Sequence, residues 1–414
     1  MRVAIVALDT RGGVQPYLAL ALGLRAAGHD VRMAVHADAA PDIAARGITT
    51  VPLTGQAEET VREVGAADLN PVARQRLMRR TMREVVVEQA RQALGGCADA
   101  DLFTAGVGGS GFGTALAERL NRPFVEAHLQ PIGPPTALFP GPLLPQVPRW
   151  TGGAGMRLSH RVTALGVRAL TGPGTKQVRA LYGLPPRPAA REPGLPAVYG
   201  YSPIVVPAPP EWGPDRHVTG YWTLRDGDGW TPPAELAAFL DAGPPPVCVG
   251  FGSMVGKDPA GLAALVVDAV RRSGGRAILL SGWGGLAGVG DADDVLVLDQ
   301  APHDWLLPRC AAVVHHGGAG TTGAALRAGV PAVVVPFGAD QPFWGARVAA
   351  LGTGPQPIPR KRLTATGLVH ALRTAAEPAM RHRAAEVGER IRAEDGVGAA
   401  VAWYDAVADR LNLS

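Results

Sequence analysis

Short apolar runs alternate with glycine-containing turns and helical patterns along this chain, and this alternation restricts the fold more than any other feature. Residues 3–8 form an apolar run, residues 9–13 a glycine-containing turn, residues 16–27 a helical pattern and residues 30–35 a second predicted strand. Apolar runs without polar alternation are typical of parallel strands that are covered on both faces. Strand, glycine turn, helix and strand in this order predict a Rossmann-like unit.

The same pattern begins again in the second half of the chain. An apolar run at 246–250 is followed by a Gly-Ser turn and a helical pattern at 259–272, and further strands are predicted beyond it. Proline and glycine are dense over 205–235, which favours a linker there. We therefore expect an α/β protein of two Rossmann-like domains, residues 1–215 and 216–395, with a C-terminal helix in 396–414 that packs back on the first domain.

Composition excludes several classes of function. The 414 residues carry a formal net charge of +4 and no basic stripe with interleaved aromatic residues, so no nucleic-acid partner is expected. The three cysteines form no Cys-x-x-Cys pair, and we interpret them as reduced thiols. No apolar stretch is long enough for a stable membrane insertion, so a cytoplasmic protein is expected. The basic amphipathic stretch 156–170 is interpreted as a solvated helix face rather than a membrane surface.

The most informative segment is VVHHGGAGTT, residues 313–322, where a strand ends, a glycine-rich turn follows and a helix begins. Free amide groups and the positive end of the dipole make a helix N-terminus an anion site, and glycines allow phosphate to approach the backbone. A nicotinamide-binding turn would need Gly-x-Gly-x-x-Gly and a downstream acid. The glycines here are offset and the next strand ends in FGADQ, which argues against an oxidoreductase.

The longer block QAPHDWLLPRCAAVVHHGGAGTTGAALRAGVPAVVVPFGADQPFWG resembles the donor-binding region of the nucleotide-sugar glycosyltransferases with the GT-B fold. It is similar to the bacterial natural-product branch and, through PHDWL, HHGGAGTT, PFGADQPFWG and the upstream SGWGG, even more similar to the sterol glucosyltransferase branch. The opening TRGGVQPYLALALGLRAAGHDV resembles the N-terminal motif of the family. The resemblance is looser over 55–240, and it implies an N-terminal acceptor domain facing a C-terminal donor domain across a cleft.

The resemblance implies a donor site in the second domain. His316 matches the histidine on the diphosphate, and Asp340 and Gln341 match the pair that hydrogen-bonds sugar hydroxyls. Gln300 and His303 belong to the segment against the nucleobase. The residues expected to bind the donor are Ser253, Trp283, Gln300, His303, His316, Gly317, Gly318, Gly320, Thr321, Asp340 and Gln341. Trp283 has an alternative as a packed loop residue, and the adjacent His315 is interpreted as a packed strand-end histidine.

The acceptor side departs from the family pattern. Relatives commonly have GTRGD, with the aspartate as general base, whereas this chain has Asp9-Thr10-Arg11-Gly12-Gly13. Asp9 follows the first predicted strand, where open α/β sheets place their sites, so it either replaces the missing base or only caps the turn. His128, at the end of a later strand, is a second candidate. An acidic acceptor such as a phenol, which needs little help from a base, is the third possibility.

The resemblance implies inverting transfer without a metal or other cofactor, from a UDP- or TDP-sugar to a hydroxyl of a small lipophilic natural product such as a macrolide, polyketide or aromatic aglycone. A sterol or lipid glucosyltransferase is the first alternative, and a non-catalytic donor-binding partner is the second. Residues 291–294 spell an Asp-x-Asp motif, which we interpret as a solvated turn. The donor sugar, the acceptor and the oligomeric state are not predicted.

Overall fold

A computed structural model describes residues 1–9, 11–55, 85–186, 195–252, 258–282 and 292–413. The chain forms two parallel sheets, each covered by helices. The first sheet has seven strands in the order β3-β2-β1-β4-β5-β6-β7. Its strands are β1 (Arg2–Ala7), β2 (Asp30–His36), β3 (Thr49–Leu53), β4 (Leu102–Ala105), β5 (Phe124–His128), β6 (Ala197–Tyr199) and β7 (Arg216–Val218).

The second sheet has five parallel strands in the order β10-β9-β8-β11-β12. Its strands are β8 (Val247–Gly250), β9 (Ala277–Leu280), β10 (Val295–Leu298), β11 (Ala312–His315) and β12 (Ala332–Val334). In both sheets the strand order reverses beside the strand that comes first along the chain. Such reversal points are where open α/β sheets bind ligands.

The helices follow the strands as crossover connections or pack on the sheet faces. They are α1 (Arg11–Ala26), α2 (Ala40–Ala44), α3 (Ser110–Arg119), α4 (Gly152–Leu181), α5 (Ala234–Asp241), α6 (Pro259–Arg272), α7 (His303–Leu306), α8 (Ala319–Ala328), α9 (Gln341–Leu351), α10 (Ala365–Ala375), α11 (Pro378–Arg392) and α12 (Gly396–Leu411). Residues 85–96 are also helical. Across the described ranges, no helix combines the length and the apolarity that crossing a bilayer requires.

The first helix begins earlier than the sequence indicated. Gly12 and Gly13 were expected in the turn after β1, but α1 begins at Arg11 and includes both. Pro16 lies inside the helix and has no amide hydrogen for the carbonyl of Gly12. The opening of α1 therefore tolerates two glycines and a proline, which sequence patterns normally place outside a helix.

The C-terminal helix α12 lies against the first sheet. Trp403, Tyr404 and Val407 belong to the same core as Val3 and Ile5 of β1. The hydroxyl of Tyr404 lies 2.7 Å from the hydroxyl of Thr104 on β4, and both side chains are buried. The last helix therefore covers one face of the N-terminal sheet.

The chain crosses between the two sheets at two places that touch each other. β7 pairs with β6, so the chain leaves the first sheet only after Val218, three residues beyond the division expected from the sequence. It returns before α12, where a Cβ atom on Gly396 would lie 2.6 Å from the carbonyl carbon of Gly220. Gly220 has φ +112°, a conformation that side chains rarely adopt. Two glycines thus allow both crossings to share one narrow point.

Candidate active site

The loops at the reversal points of the two sheets meet across a cleft. The loop after β1 leads into α1, and the loop after β11 leads into α8. A Cβ atom on Gly320, near the start of α8, would lie 3.5 Å from the carbonyl oxygen of Gly12 in α1. The N-terminal ends of these two helices therefore face each other, and residues on both loops can contact one ligand.

The turn after β11 depends on its glycines. Gly317 has φ +88°, and a Cβ atom there would lie 2.7 Å from Val334. A Cβ atom on Gly318 would lie 2.4 Å from Nε2 of His316, so the imidazole lies over the turn. The amide of Thr322 donates to the carbonyl of Gly318 at 2.9 Å, so the amides of 319–321 precede the first helical bond. A helix N-terminus with such amides is the kind of backbone arrangement that can bind an anion.

The side chain of His315 holds the backbone of this turn in place. Its side chain is fully buried, and its Nδ1 accepts a hydrogen bond from the amide of Gly317 at 3.0 Å. Burial, with His316 and His303 nearby, lowers the pKa of His315 to about 3. His315 is therefore a neutral imidazole that fixes the backbone beneath His316.

His316 itself is held neutral at the edge of the cleft. Burial and the neighbouring His303 lower the pKa of His316 to about 4. Its buried Nδ1 has no hydrogen-bond partner among the residues that the structure describes. A neutral imidazole still carries one N–H group, so His316 can donate a hydrogen bond to an anion without bringing a full positive charge.

The remaining loops of the second sheet lie beside this turn. A Cβ atom on Gly252, after β8, would lie 3.5 Å from Cε1 of His316. Gly282, after β9, donates its amide to the carbonyl of Asp299, after β10. Gln300 is exposed at the end of the same loop, and His303 begins α7. Ser253 and Trp283, which were also expected to bind the donor, lie outside the described residues.

Asp340 and Gln341 lie at the start of α9, where the loop after β12 ends. The side-chain oxygen of Gln341 accepts hydrogen bonds from the amides of Phe337 (2.7 Å) and Gly338 (3.1 Å). This assigns the oxygen unambiguously, because both partners are donors. Oδ2 of Asp340 accepts a hydrogen bond from the indole of Trp344 at 2.9 Å.

Asp340 connects the two domains. Gln130, two residues beyond β5 in the first domain, donates a hydrogen bond to its carboxylate. Burial raises the pKa of Asp340, and the negative charge of Asp9 across the cleft raises it further. Asp9 also raises the pKa of Tyr17 on α1, although burial is the larger cause there. Asp9, Asp340 and Gln130 thus surround one position in the cleft.

Asp9 occupies the space that a side chain at position 13 would need. A Cβ atom on Gly13 would lie 2.3 Å from Cγ of Asp9 and 2.4 Å from its Oδ2. Asp9 is solvent-exposed on the α1 side of the sheet. The Asp9 carboxylate therefore fills the space where the side chain of residue 13 would begin, although it comes from the preceding loop.

Comparison with known proteins agrees with this arrangement. Residues 3–132 match the glycosyltransferase family 28 N-terminal domain, and residues 286–398 match the C-terminal domain of erythromycin biosynthesis protein CIII-like proteins. The sterol 3-beta-glucosyltransferases UGT80A2 and UGT80B1 of Arabidopsis thaliana are each 35% identical over 97% of this chain. The chain spans 64% and 67% of their lengths.

Solved structures share the whole fold. The glycosyltransferase of kitacinnamycin has a TM-score of 0.69 at 21% identity, covering 99% of this chain and 98% of that one. The glycosyltransferase VinC, solved in complex with dTDP, has a TM-score of 0.64 at 22% identity, covering 99% and 100%. This chain belongs to the GT-B nucleotide-sugar glycosyltransferases. The expected family and fold are thereby confirmed.

In this glycosyltransferase His128, the second candidate base, is a buried side chain at the end of β5. It is 4% exposed, the centroid of its ring lies 5.5 Å from that of Tyr199, and its Nε2 lies 3.4 Å from a carboxylate oxygen of Glu126. Neighbouring residues of β5 alternate between sheet faces, and Ala127 shares the α1 side with Tyr17. His128 therefore lies on the face of the sheet opposite Ala127 and Tyr17, where Glu126 is its charged neighbour.

The acidic turn before β10 forms an ion pair with helix α6. Asp294 forms an ion pair with Arg271 of α6, with 2.6 Å between its Oδ2 and Nε of the arginine. Asp291 lies outside the described residues. Within the described part of the glycosyltransferase, no group of three or more His, Cys, Asp or Glu side chains is arranged to hold a metal ion.

Sequence reasoning missed Gln130 and Tyr17. Gln130 follows the carboxyl end of β5, and the rule that sites lie beyond strand ends could have indicated it. Tyr17 lies one turn after Gly13 in α1, and its hydroxyl donates to the carbonyl of Ala127 at 2.7 Å. Only the folded structure shows that this tyrosine closes the space between α1 and β5 beside Asp9.

Proposed function

We propose that this glycosyltransferase moves a hexose or deoxyhexose from a UDP- or TDP-sugar to a hydroxyl group of a small lipophilic acceptor, with inversion and without a metal ion. The observation that carries the proposal is the position of Asp9, which faces the Asp340 side of the donor half across one cleft. This placement supports a proposed order of diphosphate site, sugar site and carboxylate base that suits a single displacement.

The donor diphosphate is proposed to bind at the N-terminus of α8. The amides of 319–321 and the N–H group of neutral His316 converge there, and the glycines of the turn leave room for phosphate oxygens. Negative charge develops on the diphosphate as the bond to the sugar breaks. Fixed donors aimed at that charge stabilise the transition state more than the ground state. Gly317, Gly318, Gly320 and Thr321 are proposed to line this diphosphate site.

The sugar is proposed to lie against Asp340 and Gln341. The oxygen of Gln341 already accepts two backbone hydrogen bonds, so its contribution to a sugar hydroxyl is as a donor through Nε2. The Asp340 carboxylate accepts hydrogen bonds. An acceptor and a donor side by side can recognise two adjacent hydroxyl groups. Gln300 and His303 are proposed to lie along the nucleobase.

Asp9 is proposed as the general base. The acceptor oxygen attacks the anomeric carbon from the face opposite the diphosphate, and its proton passes to the Asp9 carboxylate. The carbon–oxygen bond to the diphosphate breaks, and the nucleoside diphosphate leaves with the electron pair. A positioned base typically contributes about 10²–10⁴ in rate. The position of the Asp9 carboxylate at Gly13 supports this role over that of a turn cap alone.

Two acceptor classes have support. The match to sterol 3-beta-glucosyltransferases at 35% identity over 97% of the chain favours a sterol. The EryCIII-like model over 286–398 favours a macrolide or another natural product, although it covers the donor half, where acceptors are not bound. A flat lipophilic alcohol is common to both classes, and we propose sterols and polyketide aglycones as the acceptors to test first.

The test has two steps. UDP- and TDP-sugars are screened for a rise in melting temperature, and the best binder is then incubated with sterols, macrolides and phenols while products are followed by mass spectrometry. We expect a mass increase of one hexose or deoxyhexose, an inverted anomeric centre by NMR, and no change in rate on adding EDTA. His316→Ala should lose about a hundredfold in kcat, as expected for one oxyanion-type donor. Donor binding without transfer to any acceptor would support a non-catalytic partner, and the absence of donor binding would overturn the proposal.

A further inference from the structure

The first half of helix α4 buries three small or uncharged polar side chains and exposes large apolar ones. Ser159, His160 and Thr163 are buried on its inner face. Ser159 Oγ accepts a hydrogen bond from the amide of Gly141 at 2.7 Å, and Nε2 of His160 lies 2.9 Å from the carbonyl of Phe139. The inner face of α4 thus holds the loop 139–143 through hydrogen bonds. This leaves the leucines of the helix on the solvent side.

The exposed apolar residues of the described chain are concentrated here. Of the ten large apolar side chains that are exposed, nine lie between residues 138 and 181 and the other is Leu411. Leu158, Val162 and Leu165 are spaced four and three residues apart, so they share one stripe of α4. Trp150 stands before the helix with 88% of its surface exposed, and Leu170 is 80% exposed. We call this surface, from Trp150 to Leu170, the apolar face.

The border of the apolar face is mainly positive, with Glu211 near Arg157 as a nearby acidic group. Arg157, Arg161 and Arg168 are exposed along one edge of the leucine stripe, and Lys176 follows on the next turns. The sequence contains neither Asp nor Glu from residue 127 to residue 191. The occupant of this surface must therefore be apolar in its interior and negatively charged at its border.

We propose that the apolar face docks on the surface of an anionic lipid bilayer. An interfacial helix typically presents leucine and tryptophan to the acyl chains and arginine or lysine to the headgroups, and it lies in the plane of the membrane. The arginines add an attraction to anionic lipid that salt screens. A second copy of the chain fits less well, because a symmetric contact through this face brings two rows of arginine together.

The loop beneath the apolar face reaches the donor half. Phe139, whose carbonyl contacts His160 of α4, packs against Phe343 with 6.3 Å between ring centroids. Phe343 is the second residue after Gln341 of the donor half. A bilayer on the apolar face would therefore adjoin the cleft, where an acceptor dissolved in the lipid could enter. Docking itself does not depend on the proposed transfer reaction.

The experiment measures sedimentation of the full chain with vesicles of phosphatidylcholine alone and with 30% phosphatidylglycerol. We expect binding to the anionic vesicles, weaker binding to the neutral ones, and weakening at high salt. The triple variant Leu158→Ser, Leu165→Ser, Leu170→Ser should bind at least about tenfold more weakly, because three apolar side chains no longer enter the interface. Leu411→Ser, at the exposed leucine outside residues 138–181, is the matched control and should bind like the parent.

Charge and insertion are tested separately. Replacing Arg157, Arg161 and Arg168 by Gln should remove the preference for anionic vesicles, whereas the same replacement at the exposed Arg119, Arg373 and Arg381 should leave it. The tryptophan emission should shift to the blue on vesicle binding, and Trp150→Phe should remove most of that shift. Equal binding by the leucine variant and the parent would overturn the proposal. So would a stable dimer of the parent that the leucine variant converts to a monomer, since the face would then be a contact between copies.

Discussion

The donor half and the acceptor half of the cleft both lie beyond the carboxyl ends of parallel strands, yet they fix their key side chains differently. On the donor side, His315 and Gln341 bond the backbone of two successive loops, and a glycine with φ +88° shapes the turn between them. On the acceptor side, Asp9 is exposed and its place depends on the missing side chain at Gly13. The donor site therefore depends on a fixed backbone conformation. The proposed base depends only on where its carboxylate lies, so it can come from a different sequence position.

The largest expected effect tests that difference on the acceptor side. Asp9→Asn keeps the shape of the side chain but removes the base, so kcat should fall about a thousandfold, within the usual range for a general base. The melting-temperature rise with the donor should be unchanged, because Asp9 is not part of the diphosphate site. Steady-state kinetics with a saturating acceptor measure this.

A swap makes the test sharper. Gly13→Asp alone should be inactive or unstable, because its side chain would begin 2.3 Å from Cγ of Asp9. Adding Asp9→Gly to Gly13→Asp removes this conflict and returns the carboxylate to the family position, so activity should recover in part. If Asp9→Asn turns over like the parent, Asp9 is only a cap and an acidic acceptor becomes the better explanation.

The same contrast explains what the sequence could predict. The donor turn was recognised because strand, glycines and helix are consecutive, and residues 312–315 and 259–272 have the strand and helix bounds expected for them. β3, β6 and β7 were not predicted. β6 and β7 have only three residues each, too few for a period to be visible. The contact between Gln130 and Asp340 joins residues 210 positions apart, and local patterns carry no information about it.

The next effect concerns the rigidity of the donor side. The pKa of His315 is lowered to about 3 in the folded chain, below the unfolded value near 6.5. Between these two values the unfolded state binds a proton at His315 and the folded state does not. The contribution of His315 to the free energy of unfolding is therefore fully present above about pH 6.5 and is lost as the pH falls toward 3. By pH 4.5 this histidine alone should cost about 3 kcal/mol.

Urea unfolding between pH 7 and pH 4.5 measures this loss. His315→Asn keeps an acceptor for the Gly317 amide without a titrating group, so its stability should depend less on pH. His370→Gln, at an exposed histidine, should follow the parent. An equal pH dependence in His315→Asn and the parent would show that this buried imidazole is not what holds the turn at acidic pH.

The smallest expected effect lies where the two halves meet. Gln130 donates a hydrogen bond from the first domain to Asp340 of the second. Gln130→Ala removes one hydrogen bond to a charged group, worth about 1–2 kcal/mol, so the donor KM should rise roughly tenfold with little change in kcat. Gln130→Glu should be worse than Gln130→Ala, because a second carboxylate would face Asp340 where Asp9 already raises its pKa. If both variants keep the donor KM of the parent, Asp340 binds the sugar without help from Gln130.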